Sequence, residues 1–206
     1  MKPLLRGHFH QAAFFIAIGA CSMLISGAHG STQVWAALIY SLSLINLLGT
    51  SALYHRPQWD VAPRALMRKL DHAAIFILIA GTCTPICLIG IPETGGATLL
   101  KVVWIAALFG VLQSIFWAKA PKFLAAIFYV GMGWLAFPYV PEIRPALGGA
   151  QLAFMLIGGG IYTAGAVVYT TKKPNPSPKY FGYHEIFHLM VVIAAGFHFV
   201  VISSLL

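Results

Sequence analysis

Acidic side chains are scarce in this chain of 206 residues: Asp and Glu number 5 against 13 Lys and Arg, and charged residues together make up 9%. Soluble domains hydrate their surfaces with roughly a quarter charged residues. A water-soluble globular domain is therefore excluded. Cysteine is sparse as well: Cys21, Cys83 and Cys87 each fall inside an apolar run, which excludes a disulfide framework. Cys83 and Cys87 stand one turn apart, but two thiols without further ligands make a weak metal site, and all three read as small buried filler. Low-complexity tracts and strong internal repeats are also missing, and no polar stretch is long enough to leave a separate soluble domain.

What the chain has in quantity is apolar sequence, 59% of its residues. Crossing a hydrocarbon core of about 30 Å takes about 20 residues of helix, each helix satisfying its own backbone hydrogen bonds. Seven runs meet that length: Ala12–Ala28, Val34–Tyr54, Leu66–Gly90, Leu99–Trp117, Phe123–Val140, Leu152–Tyr169 and Tyr183–Leu205. The connections AHGSTQ, IPETGGAT and TKKPNPSPKY are short, polar and rich in Gly and Pro. The expectation is an all-α membrane protein, a single seven-transmembrane-helix bundle over 1–206. The first run is long and lacks a small-x-small cleavage site, so it reads as retained rather than as a signal peptide.

Charge sets the predicted orientation. Lys2, Arg6, Arg56, Arg64, Arg68, Lys69, Lys119, Lys122, Lys172, Lys173 and Lys179 fall on one side of such a bundle, and only Lys101 and Arg144 on the other. The positive-inside rule then puts the N-terminus in the cytoplasm and the C-terminus outside. The net charge of +8 is accounted for by topology and attraction to anionic lipid, so no nucleic-acid partner is expected.

Ionisable residues inside spanning segments are costly and point to function. Ser51 and His55 close the second run, Asp71 and His72 lie early in the third, and His184, Glu185 and His188 open the last. In the predicted orientation Ser51, His55, Asp71, His184 and His188 share one level near the cytoplasmic side. Residues four apart share a helix face, so SALYH pairs Ser51 with His55, and HEIFH pairs His184 with His188. Three imidazoles from two helices, with a carboxylate and a hydroxyl beside them, suit a tetrahedral zinc site with one open position. His198 lies about 15 Å deeper and off that face, which suits an interhelical hydrogen bond. His72 is turned about 100° from Asp71, to orient a neighbour or face a headgroup. His8, His10 and His29 fall in the tail and a loop, where solvated surface is the default.

HEIFH also matches the zincin pattern, in which Glu185 would be the general base. An intramembrane metalloprotease would add Asp71 as a distant ligand. In the site-2 protease family, however, the HExxH precedes the aspartate, and that reading leaves Ser51 and His55 without a role.

Packing signals are present too. GGG at Gly158–Gly160 and the GMG of Gly131 and Gly133 suggest close helix approach. Pro85 suggests a kink above Asp71 that opens a pocket. Trp35, Trp59, Trp104 and Trp117 suit interfacial anchors, and Trp134 an internal position.

The blocks SALYH at 51–55, KLDHAAIFILIAGTCTP at 69–85 and FGYHEIFHLMVVIAAGFHF at 181–199 resemble the haemolysin III family, the bacterial branch of the progestin and adipoQ receptor family. The resemblance spans the whole chain. It implies zinc on His55, His184 and His188, with Ser51 and Asp71 hydrogen-bonding a water at the metal or a ligand. It further implies a multi-pass bacterial inner-membrane protein. The adiponectin receptors of the wider family carry glutamine where Glu185 stands, which argues against Glu185 as an obligatory base. Their long N-terminal extension is missing here, so no protein hormone is expected as a partner; membrane lipids are.

Three functions compete. In the first, zinc polarises a carbonyl and acidifies water while Asp71 takes a proton, hydrolysing a lipid amide or ester as in the ceramidase-like activity the resemblance implies. In the second, structural zinc clamps the second and seventh helices of a membrane-homeostasis regulator. In the third, the chain is a pore-forming cytolysin, which needs polar residues along a whole conduit; beyond the zinc level only Asn46, Thr50, Thr82, Gln113 and Ser114 are at hand, so a pore would have to be oligomeric.

Overall fold

The computed structural model describes residues 3–117 and 120–206. Lys2 and Lys119, counted in the charge balance, lie outside the described residues. Helix accounts for nearly all of the rest: α1 His8–Gly27, α2 Ser31–His55, α3 Val61–Pro85, α4 Ala97–Phe116, α5 Lys122–Gly133, α6 Val140–Thr171 and α7 Tyr183–Ser203. The described residues hold no β-strand, only one isolated bridge between Ser177 and Phe181.

Among the described residues, six helical runs are long and apolar enough to cross a membrane. The predicted spans 123–140 and 152–169 do not stand as separate runs, because helix continues through the 3₁₀ segment Trp134–Tyr139 into α6. That long run, Phe123–Thr171, is broken at Gly148, whose φ of 74° and ψ of 176° leave the helical region. Only glycine adopts such a φ without strain. Trp134 Nε1 donates to Thr163 Oγ1 at 3.0 Å across 29 positions, a distance of about 43 Å in a straight helix. The run therefore folds back on itself.

Packing follows chain order, α1 on α2, α2 on α3, α3 on α4, then α5 on α6 and α6 on α7, and α1 also packs on α7 to close the ring. One apolar cluster gathers Phe76, Ile91, Leu99 and Ile143; a second gathers Tyr40, Leu47, Val191 and Ile202. Phe15, Ile16, Leu42, Phe109, Phe116 and Ile157 are exposed on the outside, as a lipid-facing surface requires. Cys21, Cys83 and Cys87 are buried and unbridged, in keeping with their reading as filler.

After Pro85 the α3 ladder widens into a π-helical turn, Ile86–Gly90, so the expected disturbance at this proline takes the form of a change of helix type. The glycine expectations divide. A Cβ at Gly158 would lie 2.6 Å from the His198 ring, so this glycine makes room for an imidazole. At Gly131 and Gly133 a Cβ would meet nothing within 4 Å, so no close helix approach occurs there. Gly131 is exposed and Gly133 lines the central cavity, so at neither position does small size accommodate a neighbouring helix.

Candidate metal centre

The end of α2 and the start of α7 meet at three imidazoles. One ring nitrogen from each of His55, His184 and His188 lies within 4.8 Å of the others. His55 and His188 are buried, and His184 is half-buried. His55 Nε2 and His184 Nε2 are 3.3 Å apart. Metal–nitrogen bonds of 2.0–2.1 Å in a tetrahedron set ligand nitrogens about 3.3 Å from one another, so this pair already has the required span. His188 Nδ1 is buried without a hydrogen-bond partner among the described residues. Three imidazoles with nitrogens this close, one of them buried without a hydrogen-bond partner among the described residues, form a donor set that fits a metal ion.

Asp71 Oδ2 lies 3.7 Å from His55 Nε2, too far for a direct hydrogen bond but within reach of anything held between the histidines. Ser51, one turn before His55 on α2, is buried and lines the same cavity. That cavity, about 1150 Å³, runs from the three histidines, Asp71 and His72 down to Leu78, Ile86, His198 and Ile202. His198 stands apart from the cluster, with Nε2 donating to the Met155 carbonyl at 3.1 Å as an interhelical hydrogen bond. All five residues expected at one level thus line one cavity.

Glu185 does something else. Its Oε2 accepts the Gly182 N–H at 2.8 Å, satisfying a free backbone donor at the start of α7, and its Oε1 pairs with Arg6. Both oxygens are engaged away from the imidazoles, which leaves Asp71 as the carboxylate beside them.

His10 overturns an expectation. It is not in a solvated tail: α1 begins at His8, and His10 is 3% exposed with its ring parallel to that of His188, centroids 3.9 Å apart. Its burial comes from the closure of α1 on α7, which no local pattern announces. The one available signal is placement: a helix starting four residues before the apolar run carries His10 into α1. His8 is also engaged, its Nε2 accepting from Arg56 Nη1 at 2.8 Å.

The fold and the cavity define a multi-pass α-helical membrane protein with a histidine cluster at one end. The family model described as haemolysin-III related matches residues 1–199, and the chain belongs to that family. It is 33% identical over 167 residues to the hemolysin-3 homolog of Bacillus subtilis, covering 80% of this chain and 78% of that one. It is 32% identical over 186 residues to hemolysin-3 of Bacillus cereus, covering 89% and 82%. More distantly it matches the human monocyte to macrophage differentiation factor, 25% identical over 172 residues, covering 79% and 67%.

Proposed function

We propose that this protein is a zinc-dependent hydrolase of a lipid amide or ester, embedded in a bacterial plasma membrane with seven crossings and a cytoplasmic N-terminus. The convergence of His55, His184 and His188 beside Asp71, at the head of a large cavity, carries the reading. The seven crossings follow if each arm of the run folded at Gly148 spans the bilayer, and the charge balance then puts the histidine end on the cytoplasmic side.

His55, His184 and His188 would hold the ion. Zinc supplies Lewis acidity there, polarising a carbonyl and acidifying water. Asp71 is positioned to accept the proton that hydrolysis releases and to return it to the leaving amine or alcohol. Ser51, buried beside them, offers a hydroxyl to orient the polar linkage of the substrate. Farther in, Leu47, Leu78, Ile86 and Ile202 line the cavity, matching the chain of a lipid and excluding water from it. That lining also favours a lipid over a hydrated ion path, whatever lysis the Bacillus cereus relative's name attaches to that protein.

The test is metal analysis of purified protein together with a screen for turnover of lipid amides and esters. Zinc-dependent release of fatty acid supports the proposal. A fully zinc-loaded protein that turns over nothing in the panel would favour the clamp between α2 and α7 instead.

A further inference from the structure

The segment from Pro3 to Gln11 lies across the ends of both helices that carry the histidine cluster. Leu4 and Leu5 donate backbone N–H groups to the Lys179 and Tyr180 carbonyls at 3.0 and 3.2 Å, just before α7. Arg6 pairs with Glu185, the neighbour of His184. Gly7, at φ 82°, sits so close to α2 that a Cβ there would lie 2.8 Å from His55 Cβ. Arg56, the neighbour of His55, donates to Gln11 Oε1 at 2.8 Å. His10 then lays its ring against His188. Each candidate ligand, or the residue next to it, is touched by this one segment.

His10 itself is the informative part. Both of its ring nitrogens are buried without a hydrogen-bond partner among the described residues, an arrangement that costs stability and that a leucine or phenylalanine would avoid. Its planes differ from those of His188 by only 4°. The second side-chain torsion of histidine has a broad, shallow profile, so a lone imidazole turns easily about it. A flat partner 3.9 Å away on one face removes that freedom. His55 meets His188 edge-on at 65° and His184 lies tilted to it at 59°, so neither supplies such a plane.

We propose that His10 is a positioning residue: its ring plane holds His188 in the orientation that metal binding needs, with the Pro3–Gln11 segment as the strap that keeps it there. The inference rests on the histidine cluster being a metal site. Outer groups that orient a ligand typically change metal affinity by about 10–100-fold when removed.

The experiment uses the purified full chain as wild type, His10→Phe and His10→Leu. Both substitutions are apolar and fill the site, but only phenylalanine keeps a flat ring. Zinc affinity is measured by competition with a chromogenic chelator, and ligand geometry by the visible bands of the cobalt-substituted protein. His10→Phe should bind zinc within about threefold of wild type with unchanged cobalt bands, while His10→Leu should bind about 10–100-fold more weakly with altered bands. Wild-type affinity and bands in His10→Leu would overturn the inference and leave the metal site standing. A Phe variant as poor as the Leu variant would also overturn it, since the ring nitrogens and not the plane would then matter. A wild-type protein that binds neither metal would remove the metal site and this inference together.

Discussion

Glu185, beside His184 in the sequence, is held by Arg6 from 179 positions away. The pair engages one carboxylate oxygen, and the Gly182 N–H engages the other. A carboxylate so occupied stabilises the start of α7 and is a poor candidate for moving protons in the cavity.

The two carboxylates should therefore separate on mutation. Asp71→Asn should keep zinc and lose hydrolysis by on the order of 10²–10⁴-fold, since an amide cannot accept a proton. Glu185→Gln should keep both zinc and turnover but lower stability by about 1–3 kcal/mol, because the charge-assisted contacts to Arg6 and the helix start are weakened. Metal content, turnover and thermal unfolding in detergent measure all three quantities. An inactive, zinc-loaded Glu185→Gln beside an active Asp71→Asn would reverse the assignment.

Purified protein should carry about one zinc, and alanine at His55, His184 or His188 should each reduce that occupancy sharply. His198→Ala should leave it intact, since its ring is committed to the Met155 carbonyl. Elemental analysis of the four variants decides this, and full occupancy in His55→Ala would sink the three-histidine site.

Chelation should destabilise the protein as well as stop turnover. A metal held at a thousandfold excess over its dissociation constant adds about 4 kcal/mol to folding stability, and that amount should vanish on stripping and return on adding zinc. An unfolding temperature indifferent to zinc would mean that the histidines are not its site.

Orientation can be read from reporter fusions. A reporter after Leu206 should be active outside the cell and one at the N-terminus inside, as an odd number of crossings requires. Both ends on one side would show that the run folded at Gly148 does not cross twice.

Glycine substitutions should discriminate packing from composition. Gly158→Ala should cost about 1–3 kcal/mol by forcing the His198 ring aside. Gly131→Ala should be neutral or slightly stabilising, because its Cβ meets nothing within 4 Å and alanine is the better helix former. Equal effects at both positions in thermal unfolding would contradict the packing around His198.

Membrane class and the candidate ligands were legible in the sequence because both rest on short-range rules. Hydropathy over about 20 residues reports a span, and a spacing of four reports a shared helix face, as for Ser51 with His55 and His184 with His188. The expected topology put those faces at one level, and in the fold they line one cavity with Asp71. The reversal at Gly148 falls inside the predicted connection 141–151; what was not legible is that helix persists on both sides of it, because a hydropathy window ends at polar residues whether or not they stay helical. Nor were the placement of His10 and the pairing of Glu185 with Arg6. These depend on α1 closing the ring against α7, which brings the first residues of the chain onto the last helix. Such contacts are set by the packing of whole helices, and nothing in the local order of HFHQ or YHEI distinguishes a ring stacked on a ligand from one facing solvent.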